Sequence, residues 1–165
     1  FIATGGTFDR ITRESAVRPK DSILKKYLEK EIKPHFKFSV TIPFFKDSRA
    51  LTEEDLKILS KIIIESSAKR IVIILGTCTM TETALYLKKS LLNLEKTIVL
   101  TGAFKYFNQD YPDAFFNLGF ACANVLTLPS GIYLSMNGRV WLPGESYKDI
   151  ANNRFEESPK VSNDD

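Results

Sequence analysis

The chain has 165 residues with 44% hydrophobic and 26% charged side chains, the proportions of one ordinary globular domain able to bury a core. Its 23 Lys plus Arg and 20 Asp plus Glu are scattered through amphipathic segments with no basic block, so the net charge of +3 gives no argument for nucleic acid, and none is expected as a partner. No stretch approaches the roughly 20 apolar residues of a membrane span, and Cys78, Cys122 and the lone His35 form no zinc or thiol-disulfide motif.

Phe1 to Ala3 is the first strand candidate. The chain opens on it without the basic and apolar segments of a secretory signal, which points to the cytoplasm. The loop from Thr4 to Lys20 is long beside the usual two to six residues of such connections. It reads either as a cover over a site, with Arg10, Arg13 and Glu14 as its charged groups, or as a surface excursion. Asp21 can cap a helix through about Ile32, His35 beside Pro34 reads as a surface imidazole, and Phe36 to Ile42 is the second strand candidate. Thr52-Glu53-Glu54-Asp55 resembles a capping box for a helix through about Ser67, with Leu56, Leu59, Ile62 and Ile63 on its apolar face.

The continuous apolar run within Arg70 to Leu75 marks a central strand covered on both faces. Thr79-Met80-Thr81-Glu82 is a second capping box, opening a helix through about Leu94. Thr97 to Leu100 and Gly131 to Ser135 complete the strands, and Asp113 can cap a helix through about Leu126 between them. The polar end, Ser162 to Asp165, reads as a frayed tail, which sets the domain at residues 1–157 and the tail at 158–165. This alternation predicts a three-layer α/β/α domain with a mainly parallel sheet, flavodoxin-like or Rossmann-like.

In an open parallel sheet, ligands bind beyond the carboxyl ends of the strands. Thr4-Gly5-Gly6-Thr7 follows the first strand, Asp47-Ser48 the second, and Gly76-Thr77-Cys78-Thr79 the third. Hydroxyls beside glycine turns and free helix amides can seat a carboxylate or a developing oxyanion. Singly, each cluster also reads as a turn or a cap, and their joint placement at strand ends is what points to a site.

Ala3-Thr4-Gly5-Gly6-Thr7 resembles the first signature, ATGGT, of the bacterial-type L-asparaginase family. Gly76-Thr77-Cys78-Thr79-Met80-Thr81-Glu82-Thr83-Ala84 is similar to its second, GTDTM-x-ETA, at every fixed position except Cys78. Asp47-Ser48-Arg49-Ala50-Leu51-Thr52 resembles DSS-x-MT, Leu100-Thr101-Gly102-Ala103 the next strand and turn, and Asp113 to Leu118 the SDG-x-x-NL stretch. The resemblance runs in order along nearly the whole chain and corresponds to the family's amino-terminal domain.

The resemblance implies that Thr7 is the first-step nucleophile, that Ser48 binds a substrate α-carboxylate, and that Thr77 is the hydroxyl beside the reacting amide. Cys78 stands where the family has an aspartate that holds the α-amino group and joins a relay of threonine, lysine and aspartate. Direct spacing from Gly138-Arg139 puts the relay lysine at Pro143. With a loop insertion, Lys148 followed by Phe155-Glu156 resembles the Lys…Phe-Glu ending of short relatives, against the alternative of a surface lysine. A threonine hydroxyl needs such a partner, because it is a poor nucleophile near pH 7 until its proton is taken. The thiol of Cys78 removes a fixed charge and two strong acceptors, and reads either as a reactive group at a helix start or as a small, partly buried side chain.

The implied activity is hydrolysis of a side-chain carboxamide, such as that of asparagine, through a threonine acyl-enzyme. Gly5, Gly6 and Thr77 would supply oxyanion donors, and no metal or organic cofactor is required. Full-length relatives add a second α/β domain and assemble as dimers or tetramers, which implies a homo-oligomer. The loop offers no tyrosine where the family often has one over the nucleophile. That departure, with Cys78, keeps open a protein of this fold that binds a small polar ligand or a partner without turnover. An ammonia-supplying subunit of a larger amidotransferase has no sequence feature in its favour.

Overall fold

The apolar run from Ile71 to Leu75 is buried throughout and forms the middle of the molecule. The structure, a computed structural model, describes residues 1–8, 23–105 and 109–159. Strand β2 (Arg70–Ile74) pairs in parallel with β1 (Ile2–Ala3) on one side and β3 (Thr97–Thr101) on the other. β3 pairs in parallel with β4 (Gly131–Met136), and β5 (Arg139–Trp141) closes that edge antiparallel. The sheet order is β1-β2-β3-β4-β5, and a separate hairpin joins β6 (Ser146–Asp149) to β7 (Arg154–Glu157).

Strand alternation divides the core into two layers. Ile71, Ile73, Leu75, Ile98 and Leu100 pack against Leu59 and Ile63 of α2 (Glu53–Glu65) and Met80, Ala84 and Leu87 of α3 (Met80–Ser90). Val72, Ile74 and Val99 face Leu24 of α1 (Ile23–Tyr27), Leu28 just beyond it, and Leu118, Ala121 and Val125 of α4 (Ala114–Thr127). Both faces are covered, as a buried parallel sheet requires, and the expected three-layer α/β fold with its mostly parallel sheet is present.

The expected strand Phe36 to Ile42 is instead an extended segment joined to β1 by isolated parallel bridges, Ile2 to Thr41 and Gly5 to Lys46. Pro43 lies between them and has no N–H to give a ladder, so no continuous strand forms. This segment still occupies the edge beyond β1, giving the spatial order second, first, third, fourth, fifth of a flavodoxin-like sheet. The helix expected through Ile32 widens after Tyr27 into a π-helical turn, Leu28–Ile32, and stops at left-handed Lys33 before Pro34. The cap expected at Asp21, the loop from Asp9 to Lys20 with Arg10, Arg13 and Glu14, and the tail from Ser162 lie outside the described residues. Ser158 remains tied to the domain, its N–H donating to the Glu145 carbonyl at 2.8 Å.

Helix α2 is fixed at both ends. At its start, the Thr52 hydroxyl and the Asp55 carboxylate form the expected capping box, and Lys46 Nζ donates to both Asp55 oxygens at 2.7 Å. Burial raises the Asp55 pKa, but the bonds from Lys46 and Thr52 outweigh it and hold the carboxyl below its ordinary value. At the far end, buried Lys96 donates to the Ile63 carbonyl at 2.6 Å, to the Ile64 carbonyl at 3.5 Å and to the Ser66 carbonyl. The ammonium thus caps the negative end of the helix dipole.

Lys96→Met should lower stability by about 1–3 kcal/mol, the cost of leaving buried carbonyls without donors. The measurement is the urea midpoint at unchanged slope, and an unchanged midpoint contradicts the assignment. Asp55, with its folded pKa depressed, contributes its full stability above the ordinary 3.8 and loses it as pH falls through the lower folded value. Asp55→Asn should therefore lower the urea midpoint at pH 7, and the gap should close on acidification. Equal midpoints at pH 7 would contradict the pin.

Candidate active site

The carboxyl ends of β1 and β2 meet two loops at a point where only backbone fits. Gly5 and Gly6 adopt φ of 105° and 78°, conformations that L side chains rarely take. A Cβ on Gly6 would lie 2.5 Å from the Gly76 nitrogen, and one on Gly5 would lie 2.7 Å from the Lys46 carbonyl oxygen. The turn carrying Thr7 therefore lies directly against the turn carrying Thr77. Half-buried Thr7 and buried Thr77 each follow one of the two touching glycines.

Ser48 is brought to the same place by a 3₁₀ turn, Ser48–Ala50, capped by the Asp47 carboxylate through the Arg49 N–H. Its buried hydroxyl accepts from the Cys78 N–H at 3.2 Å, and its carbonyl accepts from the Thr79 hydroxyl at 3.0 Å. A Cβ on Gly76 would meet Ser48 Oγ at 2.6 Å, so the two turns are in full contact. Because the Ser48 oxygen accepts from Cys78, its own hydrogen remains free to donate to an anion.

Lys148 reaches this point from the β6–β7 hairpin. Its Nζ donates to Thr77 Oγ1 at 2.7 Å across 71 positions of sequence, lies 3.4 Å from Cys78 Sγ, and stands 5.2 Å from the centre of the Phe104 ring. Phe155, paired with Lys148 in the hairpin, is buried in the core beside the Phe104 and Trp141 rings. A cavity of about 290 Å³ opens beside Thr77, Cys78 and Lys148, with Thr81 and Glu82 of α3 on its wall. Gly6, Thr7 and Ser48 do not line it; Gly6 and Ser48 touch the Gly76 to Cys78 turn at its edge, and Thr7 follows Gly6 in the chain.

Some expected roles change. The Cys78 thiol is exposed rather than partly buried. Thr79 makes no side-chain cap on α3, because a 3₁₀ turn at Thr77–Thr79 intervenes and its hydroxyl is given to Ser48. Helix α3 ends at Ser90, short of Leu94. Asp113 makes no side-chain cap on α4 either, because its carboxylate accepts from the Phe104 and Lys105 N–H groups and from Asn117. His35 is exposed, and among the described residues no group of His, Cys, Asp or Glu side chains could hold a metal ion. No helix of the described residues is long and apolar enough to cross a membrane.

The hairpins after β4 were not among the expected elements. Asn137-Gly138, with φ of 54° and 77°, is the turn that folds β5 back on β4. Asn-Gly between apolar runs is a strong hairpin signal in sequence.

The asparaginase N-terminal domain family model matches residues 1–157. No curated protein sequence matches the chain. Among solved structures, the thermostable L-asparaginase of Thermococcus kodakarensis is similar with a TM-score of 0.80 and 22% identity, over 94% of this chain and 49% of that one. A probable cytoplasmic L-asparaginase of Campylobacter jejuni gives a TM-score of 0.75 and 23% identity, covering 94% and 51%. L-asparaginase I of Vibrio cholerae gives 0.73 and 26%, covering 94% and 50%. The chain spans about half the length of these proteins. With the family model matching residues 1–157 and the fold shared across this span, the chain belongs to the asparaginase family, as its N-terminal domain.

Proposed function

We propose that this domain is the nucleophile-bearing part of an asparaginase-like amidohydrolase that converts a side-chain carboxamide to a carboxylate and ammonia. The observation that carries the reading is the 2.7 Å hydrogen bond from Lys148 to Thr77 Oγ1, set against the Gly6 and Ser48 turns. The ammonium occupies a lone pair of the Thr77 oxygen, so the hydroxyl's own hydrogen is free to point toward a ligand. A cation donating to that oxygen also stabilises negative charge developing on it.

In the proposed reaction, which starts with Lys148 as its neutral amine, Thr7 Oγ attacks the carboxamide carbon. The Thr7 proton passes to Thr77 Oγ1, and the Thr77 proton passes to Lys148 Nζ, which becomes the ammonium. The resulting oxyanion takes N–H donors from the turns at Gly5 and Thr77; the Gly6 N–H, expected to join them, instead donates to the Lys46 carbonyl at 3.1 Å. The C–N bond breaks, nitrogen leaves as ammonia with a returned proton, and an ester to Thr7 remains. Water, deprotonated along the same path, then cleaves the ester and restores the Thr7 hydroxyl. Ser48, with its free hydroxyl hydrogen, holds the substrate carboxylate. The proposal includes a homo-oligomer and a cytoplasmic location, the latter also in the name of the Campylobacter jejuni protein.

One observation favours a second reading, binding without turnover. Beside Lys148 and Thr77 stands the Cys78 thiol, where a carboxylate would anchor an α-ammonium group by a charge-assisted hydrogen bond.

Ammonia release measured across asparagine, glutamine and larger carboxamides separates the two readings. Turnover of at least one amide, reduced about 10²–10⁴-fold by Lys148→Met and abolished by Thr7→Ala, is expected for a proton path of this kind. Ligand binding with no ammonia from any amide favours the second reading. Cys78→Asp should raise kcat/KM on free asparagine roughly ten- to a hundredfold, since a charged hydrogen bond adds about 1.5–3 kcal/mol. A lower rate on amides with a blocked amino group in that variant would show that Cys78 sets a different specificity.

A further inference from the structure

A continuous set of polar contacts runs from the middle of the sheet to the hairpin that carries Lys148. The Asp113 carboxylate accepts from the N–H groups of Phe104 at 3.0 Å and Lys105 at 3.0 Å, and from Asn117 Nδ2 at 3.0 Å. The same Asn117 amide group donates to the Gly102 carbonyl at 3.0 Å, while Asn117 Oδ1 accepts from the Asn137 N–H at 3.0 Å. Asn137 Oδ1 then accepts from the Phe155 N–H at 3.1 Å. Phe155 is the residue paired with Lys148 across the hairpin.

Lys148 is thus held from two directions by one network. Its strand partner hangs from Asn137, and the Phe104 ring beneath its ammonium is fixed through Asp113. Asn117 is fully buried and both ends of its amide are used. The Asn137 side chain is not needed by its own turn, since Asn-Gly turns form through backbone conformation. It reaches 18 residues along the chain to the segment opposite Lys148.

We propose that Asn117 and Asn137 are positioning residues that set the Lys148 ammonium against Thr77 Oγ1. The kinetic part of this inference rests on the amidohydrolase reading; the placement of the ammonium does not. A hairpin free to shift by about 1 Å loses the short Lys148–Thr77 bond, and misplacement on that scale costs up to about a hundredfold in rate.

The test uses two substitutions at the left-handed Asn137 position. Asn137→Gly keeps the turn without strain and removes the acceptor, whereas Asn137→Asp keeps an oxygen facing Phe155 and tolerates the same backbone. On an amide that the parent protein hydrolyses, Asn137→Gly should lower kcat roughly tenfold or more with KM little changed, and Asn137→Asp should restore most of the loss. Equal kcat in the parent and Asn137→Gly, or equal loss in both variants, overturns the proposal. If no amide is hydrolysed, the amidohydrolase reading fails and amine labelling decides the positioning claim. Peptide-mapped acylation of Lys148 should then be several-fold faster in Asn137→Gly than in the parent or Asn137→Asp. Equal labelling rates in all three would contradict it.

Discussion

The hydrogen bond from Lys148 to Thr77 joins the last hairpin of the domain to the end of its central strand, and the site depends on that join. Neither residue could make it alone. Thr77 is fixed because β2 is buried on both faces and its last turn packs under Ser48. Lys148 is fixed because its partner Phe155 is sunk in the core beside Trp141. A flexible lysine carries up to about 2 kcal/mol of side-chain entropy, and a buried aromatic across the hairpin reduces how much must be lost in holding its head in place.

The second constraint is steric. Three loops approach one point at the sheet edge, and they can do so because Gly5, Gly6 and Gly76 leave no Cβ between them. The contact of Gly6 with Gly76 brings the Thr7 and Thr77 turns together, and the contact of Gly76 with Ser48 adds the third loop. The Lys46–Asp55 pair lies two residues before Ser48 and fastens that loop to the start of α2. Helix packing thus reaches the site through a short, partly buried ion pair.

Much of this was legible in sequence for a physical reason. The short, β-branched apolar run at Ile71 to Leu75 favours a strand covered on both faces, and glycines and hydroxyls just after such a strand fall where ligands bind in this class of sheet. The capping box at Thr52 was readable because its partners are local. Thr79 and Asp113 carry equally good cap signals, yet their side chains serve distant backbone groups, Ser48 in one case and Phe104 in the other. Local propensity cannot register a competitor 31 residues away. The edge segment at Phe36 to Ile42 has strand composition but meets Pro43, which leaves only isolated bridges. The position of Lys148 was reachable only by assuming an inserted loop, and the Asn137-Gly138 turn was the overlooked signal that the chain folds back there.

Cys78 gives the site its individual character. Its thiol is exposed, 3.4 Å from the Lys148 ammonium, with its own N–H held by Ser48. It therefore sits among the proposed proton path and the proposed carboxylate seat without supplying the charge that an α-ammonium would need. The central claim remains that Thr7 is the group that attacks. Incubation with a slowly hydrolysed carboxamide or activated ester, acid quench and peptide mapping by mass spectrometry test this most directly. An acyl adduct on Thr7, reduced in Lys148→Met, is the predicted result; an adduct confined to Cys78 or Thr77, or none with any amide or ester, would contradict it.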